Sequence, residues 1–209
     1  MINKTPDDIS NLVKGLILPA ALTTLIKEDV KKHYYLGIDY IEKIINANIL
    51  DINPEVIQSL EKNTFNLIKD MNEEVGNKLR VILEQNIINK QSNTKIVGEV
   101  KKLFNTTEFR ARTIARTETA RAYNIGALEA ARKSPIKMLK YYSAVLDSRT
   151  SKLCRRLAYK YNKKHPIPLN QYFVDDVTGK SFLTPPGGKG LNGSHPNCRS
   201  EALFIPAQI

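Results

Sequence analysis

The sequence predicts an α+β protein with a helical N-terminal segment over residues 1–94 and a small mixed α/β domain, with a long turn-rich loop region, over residues 95–209. Apolar residues recur at the spacing of one helix face in the first segment and again over 108–133. Beyond Pro135 the composition changes to β-forming residues and then to a stretch rich in Pro and Gly. With 209 residues the chain can form one substantial core or two small domains.

Two groups of apolar residues predict helices in the first segment. The first group is Leu12, Leu16, Leu22, Ile26, Val30, Tyr34, Ile38, Ile41 and Ile45. The second group follows Asn53 as N-cap and Pro54 at the first helical position, and contains Val56, Leu60, Phe65, Ile68, Val75, Leu79, Ile82, Leu83 and Ile87. Such stripes normally form a core or the seam between packed helices. The polar residues 89–94 predict a linker.

A long helix is predicted over residues 108–133, with caps at 105–107. Glu118 lies on its apolar stripe, where a carboxylate is costly unless it is paired. Arg121, three residues on, or an arginine from the C-terminal loops would supply that pair. The alternative is a half-exposed ion pair that contributes little.

The segments after this helix are shorter and less regular. Ser134-Pro135 ends the helix, and residues 136–146 are rich in β-formers and predict a strand. Residues 147–161 predict a short helix that is capped by its first four residues. Residues 162–200 hold five of the ten Pro and five of the ten Gly, which is unusual in a compact domain without a functional or stabilising reason. Residues 201–205 predict a closing strand.

Charge is segregated along the chain. Residues 1–94 hold 11 Lys and Arg against 13 Asp and Glu, whereas residues 95–209 hold 21 against 8. The formal net charge of +11 excludes an acidic solvating protein. The segregation favours a C-terminal part that faces nucleic acid or an acidic protein surface, and a solvated basic surface is the alternative.

Cysteine usage and hydropathy indicate the compartment. Two cysteines cannot form a disulfide scaffold, so we expect folding in a reducing cytosol. The apolar run at 16–26 is interrupted by Pro19 and is shorter than the roughly 20 residues that cross a bilayer. We therefore expect neither a membrane partner nor a leader peptide.

Cys154, His195 and Cys198 form the soft-ligand group of the sequence. Structural zinc takes four ligands, so the fourth would have to be His165 or Asp147. Two other interpretations stay open for these residues. They are a reduced cysteine pair and a Cys154–Cys198 disulfide that forms after release from the cytosol. We predict no cofactor, with zinc at Cys154, His195 and Cys198 as the alternative.

Motifs for common enzyme classes are incomplete, and we predict no catalytic residue. Gly179-Lys180-Ser181 ends like a phosphate-binding loop, but Val174 stands where that loop requires Gly. A turn between short strands explains these residues better. A metal-dependent nuclease could use His195 and Asn197, yet it would need further ligands that the sequence does not place nearby.

Three separated motifs occur in a fixed order. They are residues 114–118 on the long helix, residues 147–150 followed by Cys154, and residues 195–199 after a Pro-Pro loop. Together they resemble the Mu-F-like phage head morphogenesis family, the minor head proteins of tailed bacteriophages. The resemblance covers roughly residues 108–206, and helical regions of variable length precede this domain in the family.

The resemblance implies a non-enzymatic minor head protein that aids procapsid assembly and DNA packaging or ejection. It implies several copies per particle inside the capsid near the portal, and a host-cytoplasmic location during assembly. The implied partners are the portal protein, the inner capsid surface and, without sequence preference, DNA. A small His- or zinc-dependent nuclease or toxin-like effector carried by the particle is the alternative, and a basic nucleic-acid-binding module unrelated to phage heads is a third reading.

The resemblance assigns a mainly structural role to nine positions: Arg116, Glu118, Asp147, Arg149, Thr150, Cys154, His195, Cys198 and Arg199. Arg149 or Arg199 is expected to pair with one of the two carboxylates, and the two cysteines are expected to lie close together and tie the irregular loop to the short helix. Many relatives have Cys where this chain has Ser151 and Ser200. A four-cysteine metal site is therefore impossible here.

Overall fold

The structure is a computed structural model that describes residues 20–49, 53–88, 93–187 and 194–207. Within these residues, three long helices are followed by a strand, a short helix and four further strands. The elements are α1 (Ala20–Ile45), α2 (Pro54–Ile88), α3 (Asn93–Lys133), β1 (Met138–Ser143), α4 (Lys152–Lys160), β2 (Ile167–Pro168), β3 (Phe173–Val174), β4 (Ser181–Phe182) and β5 (Glu201–Pro206). The predicted α+β class is confirmed.

The start of α2 agrees with the sequence prediction. The helix begins at Pro54, and the side-chain oxygen of Asn53 accepts a hydrogen bond from the backbone N–H of Glu55 at 2.9 Å. This bond satisfies one of the free donors at the helix N-terminus, as an N-cap does. The predicted apolar positions Leu12 and Leu16 lie outside the described residues.

The predicted start of the long helix is wrong. Helix α3 begins at Asn93, fifteen residues earlier than the prediction, so residues 93 and 94 are helical rather than part of a linker. The hydroxyls of Thr106 and Thr107 donate to backbone carbonyls four residues back, at 2.9 and 2.8 Å, instead of capping a helix start. Residues 89–92 of the predicted linker lie outside the described residues.

The chain forms two compact units. The first unit comprises the described residues within Met1–Lys27 and Lys62–Ile114, and the second comprises those within Glu28–Glu61 and Ala115–Ile209. Each of the three long helices contributes residues to both units. The domain boundary between residues 94 and 95, which was placed where the charge balance changes, stays a prediction.

Within the first unit, α2 and α3 are joined by an ion pair. Arg110 of α3 pairs with Glu74 of α2, and Lys78 pairs with the same carboxylate at 2.6 Å. All three side chains are partly exposed, so the cluster orients the helices more than it stabilises them.

The second unit contains a close crossing of α1 and α3 at two glycines. A Cβ atom on Gly126 would lie 2.1 Å from the backbone oxygen of Tyr34, and one on Gly37 would lie 2.1 Å from the backbone oxygen of Tyr123. Atoms cannot approach that closely, so only glycine allows this contact at either position. The ring of Tyr34 is buried beside the crossing.

The second unit also contains two small antiparallel sheets. One has the strand order β2-β1-β5, with Tyr142 opposite Ala202, and the other pairs β3 with β4. Gly179 has a φ of 68° in the turn between β3 and β4, in agreement with the predicted turn. The predicted strand over 136–146 is shorter in the structure, at Met138–Ser143.

Two buried polar side chains hold the sheet in place. Asn124 of α3 accepts a hydrogen bond from the backbone N–H of Ala202 in β5 at 2.7 Å. Lys140 of β1 is fully buried and donates to the carbonyls of Leu169 and Leu183 at 2.9 and 2.8 Å. Burial is the main cause that lowers the pKa of Lys140 to about 7.

Candidate functional site

Helix α4 is capped by Ser151 and not by the preceding four residues, so that part of the prediction is wrong. The side chain of Ser151 accepts a hydrogen bond from the backbone N–H of Cys154 at 3.1 Å. Residues 147–150 form a turn in front of the helix, because the Asp147 side chain accepts from the backbone N–H of Arg149 at 3.0 Å. The cap and the turn together fix the position of Cys154 in the first turn of α4.

Asp147 is the centre of an arginine cluster. The guanidinium of Arg199 donates two hydrogen bonds to the Asp147 carboxylate, at 2.6 and 2.8 Å, and Arg149 approaches it at 3.4 Å. Arg155 donates to the backbone oxygen of Asp147 at 2.9 Å, and Thr150 hydrogen-bonds the carboxylate at 3.2 Å. The bond from Arg199 is the largest cause that holds the pKa of Asp147 well below its usual range.

Next to the Asp147 cluster lies a group of two cysteines and a histidine. Cys154 Sγ lies 3.1 Å from His195 Nε2 and 3.7 Å from Cys198 Sγ. Both thiols are free and buried, and His195 is partly buried. The hydroxyl of Ser151 lies 2.9 Å from His195 Nε2. The ligand atoms of the three residues all lie within 4.8 Å of one another.

Hydrogen bonding distinguishes the two thiols. The contact with Cys198, followed by that with His195, lowers the pKa of Cys154, and the contact with Cys154 raises the pKa of His195. The same Cys154 contact and burial raise the pKa of Cys198. The hydroxyl of Tyr142 donates to Cys154 Sγ at 3.3 Å. Negative charge in this group is therefore stabilised on Cys154.

The turn that carries His195 and Cys198 is fixed by α3. The backbone N–H of Asn197 donates to the hydroxyl of Thr117 at 3.0 Å, which joins the third motif to the first. Asn197 has a φ of 56°, a left-handed conformation that Asn and Gly tolerate best. At the start of the same turn, the backbone N–H of Ser194 donates to the oxygen of Pro186 at 2.6 Å.

The first motif, residues 114–118, contains a carboxylate that forms an ion pair within α3. Glu118 is only 2% exposed and accepts from Nε of Arg121 at 3.1 and 3.3 Å. The half-exposed alternative is therefore wrong. Both arginines that were expected to pair with a carboxylate contact Asp147, and Arg116 is exposed on α3.

Neither predicted fourth zinc ligand joins the cysteine–histidine group. In the described part of the chain that group consists of Cys154, His195 and Cys198 alone. The Asp147 carboxylate is engaged by Arg199, and His165 is exposed.

Sequence reasoning missed one further clamp of the turn-rich region. The guanidinium of Arg156 donates two hydrogen bonds of 2.7 Å to Asp175, which is 1% exposed. Thr178 also donates to Asp175, through its backbone N–H and its hydroxyl. The spacing of Asp175 and Thr178 is typical of a side-chain-stabilised turn and was the available signal.

Comparison with known proteins identifies the family. A family model described as phage Mu protein F like protein matches residues 77–203, more than half of the chain. The match includes all nine motif positions. No curated protein and no solved structure matched the chain.

The family match indicates a phage head-related protein. The chain belongs to the family of proteins like protein F of phage Mu. No helix in the described part of the chain has a stretch long and apolar enough to cross a bilayer.

Proposed function

We propose that this chain is a non-enzymatic minor head protein that is packaged in several copies inside the capsid near the portal. In this role it takes part in procapsid assembly and in DNA packaging or ejection, and it is present in the host cytoplasm during assembly. The observation that carries the proposal is the family match over residues 77–203, which contains the three ordered motifs.

The contacts that the motif carboxylates make support a structural role for these residues. The Asp147 carboxylate is held by Arg199, and the Glu118 carboxylate is held by Arg121. An acid or base in catalysis must be able to contact a substrate proton. Asp147 instead joins two distant segments of the second unit, and Glu118 is buried in a pair within α3, so we assign both carboxylates to the fold.

Binding to the portal protein or to the inner capsid surface is testable in particles. Lysine-reactive cross-linking of purified particles, followed by mass spectrometry, should join lysines of this chain to the portal protein or to the inner face of the capsid protein. Cross-links confined to tail proteins or to the outer capsid surface would contradict the proposed position.

Non-specific DNA contact fits the charge of the C-terminal part. Exposed basic side chains within residues 115–209 include Arg116, Lys133, Lys137, Arg149, Lys152, Lys163 and Lys164. Lys and Arg that neutralise phosphates release counterions, so DNA affinity should fall as salt rises, whatever the DNA sequence.

A matched pair of charge reversals tests this contact. Converting Lys163 and Lys164 together to Glu should weaken DNA binding and reduce the slope of log affinity against log salt by up to about 2. The same change at Lys31 and Lys32, which are exposed on α1, should leave the slope unchanged. Equal losses in the two variants would reject the predicted charge segregation as the source of binding.

The nuclease alternative predicts a different outcome. The purified full chain, with Mg²⁺ or Zn²⁺ added, should leave linear and supercoiled DNA intact, and so should His195→Ala. Cleavage by the wild type that disappears in His195→Ala would favour the nuclease and reject the non-enzymatic assignment.

A further inference from the structure

We propose that Cys154, His195 and Cys198 bind one zinc ion, with the fourth coordination position beside the hydroxyl of Ser151. The inference does not depend on the proposed head function, because it concerns how the second unit is held together.

The two sulfur atoms have the separation that a tetrahedral zinc site requires. With Zn–S bonds of about 2.3 Å, two thiolates on one tetrahedral ion lie about 3.8 Å apart. The structure places Cys154 Sγ and Cys198 Sγ 3.7 Å apart. The same rule sets a sulfur–nitrogen separation of about 3.6 Å, so His195 Nε2, at 3.1 Å from Cys154 Sγ, must move outward by about 0.5 Å.

The imidazole already presents the correct nitrogen. Nδ1 of His195 lies 2.8 Å from the backbone oxygen of Pro196, which can only accept a hydrogen bond. In the neutral ring Nδ1 therefore carries the proton, and Nε2 keeps its lone pair toward Cys154 and Ser151. Metal-binding histidines are typically oriented in this way, by a hydrogen bond from the other ring nitrogen to a carbonyl or carboxylate.

Two serine hydroxyls complete the polar lining. The hydroxyl of Ser151 lies 2.9 Å from His195 Nε2 and accepts from the backbone N–H of Cys154, so it borders the open side of the group. Ser194 is 2% exposed, and its hydroxyl has no hydrogen-bond partner in the described part of the chain. Ser194 stands at the start of the turn that carries His195 and Cys198, so a zinc-bound Cys198 thiolate is the acceptor that we assign to this hydroxyl.

A bound ion would join two segments that are distant in sequence. Cys154 belongs to the first turn of α4, and His195 and Cys198 belong to the turn before β5. Zinc binds thiolates and neutral imidazole, so the protons that the group holds must leave on binding and affinity should rise with pH. The ion would thereby hold the turn-rich region against α4 without any reaction.

The first experiment measures zinc in the full-length chain purified under reducing conditions without chelator. We expect one zinc per chain by elemental mass spectrometry. Replacement by Co²⁺ should give intense ligand-field bands of a tetrahedral ion and a thiolate-to-cobalt charge-transfer band. His195→Asn should lose the zinc while circular dichroism shows retained helix, and His165→Asn, the matched control, should keep it.

A gain-of-function variant tests the fourth position and does not depend on loss of folding. Ser151→Cys should tighten zinc binding at least tenfold in competition with a chromophoric chelator, because it adds a third thiolate beside Nε2. An unchanged affinity would overturn the assignment of the fourth position to Ser151.

Three results would contradict the proposed zinc site. The proposal is wrong if the wild type binds no zinc at micromolar concentration while both thiols react with iodoacetamide. It is also wrong if His195→Asn retains full occupancy, or if the cysteines of freshly purified protein form a disulfide.

Discussion

The two terminal nitrogens of Arg199 bind the two carboxylate oxygens of Asp147, at 2.6 and 2.8 Å, across 52 positions of the sequence. This contact joins the turn before α4 to the segment just before β5, and so connects the second and third motifs. A parallel guanidinium–carboxylate pair fixes geometry as well as charge. The arrangement explains why an Asp and an Arg this far apart belong to one pattern.

Loss of the Arg199–Asp147 contact should lower the thermal stability more than loss of the neighbouring Arg149 charge. Arg199→Ala should lower the melting temperature by several degrees, because the Asp147 carboxylate loses its main partner. Arg149→Ala should change it little, because Arg149 is 77% exposed and lies 3.4 Å from the carboxylate. Equal shifts in thermal unfolding by circular dichroism would contradict the distinct roles.

The same pair should contribute to acid sensitivity. The pKa of Asp147 is lowered in the folded state, so the unfolded chain binds more protons as the pH falls. The contribution is complete above the ordinary Asp value near pH 4 and is lost below it. Urea unfolding between pH 6 and pH 3 should show a smaller loss of stability in Arg199→Ala than in the wild type.

The helix crossing allows a matched pair of glycine substitutions. Gly126→Ala should lower the free energy of unfolding by about 3 kcal/mol or more, because the new Cβ would overlap the backbone of Tyr34. Gly76→Ala should raise it by about 0.5–1 kcal/mol, because Gly76 lies within α2 and has open space around it. Denaturant unfolding of both variants checks the prediction, and a harmless Gly126→Ala would show that α1 and α3 do not cross there.

Lys140 should make stability depend on pH in the alkaline range. Its pKa is about 7 in the folded protein and about 10.4 in an unfolded chain, so between these values the unfolded state binds more protons. Its contribution is complete above pH 10.4 and is lost as the pH falls through 7. Lys140→Met should remove the donor to the carbonyls of Leu169 and Leu183, which costs about 3 kcal/mol, and should flatten this dependence.

The control for Lys140 is a neighbouring lysine at the surface. Lys137→Met, at an exposed position just before β1, should leave both the stability and its pH dependence close to those of the wild type. If Lys140→Met keeps the wild-type dependence between pH 7 and 10, another group titrates in that range.

The left-handed residue in the third motif allows a test of backbone conformation. Asn197→Gly should lose less stability than Asn197→Val, because Gly adopts positive φ freely. Asn197→Val should lower it by about 1–2 kcal/mol, because a β-branched residue is strained at a φ of 56°. Equal stabilities of the Gly and Val variants would show that Asn197 does not hold this conformation.

Features that depend on local pattern were predictable from the sequence. Apolar periodicity located α1 and α2, Asn53-Pro54 located a helix start, and the burial of Glu118 followed from its place on the stripe of α3. Contacts between distant segments were not predictable in the same way. No spacing rule links Thr117 with Asn197, because that contact depends on how the turn packs against α3.

The failures have physical reasons. Residues 93–107 contain capping residues, yet they are helical, and the hydroxyls of Thr106 and Thr107 bond to carbonyls within the helix instead of capping a helix start. Residues 147–150 were predicted to cap α4, but the Asp147 carboxylate is engaged by Arg199 and by the backbone N–H of Arg149, and Ser151 caps the helix. For Asp147, whose side chain suits both a cap and an ion pair, the tertiary contact with Arg199 decided between the two.

The central claim is that this chain is a minor component of a phage head. Quantitative mass spectrometry of purified particles, with DNA-filled and empty heads compared, tests it most directly. We expect a fixed copy number in filled heads that is small relative to the major capsid protein. Absence of the chain from both particle types would contradict the account.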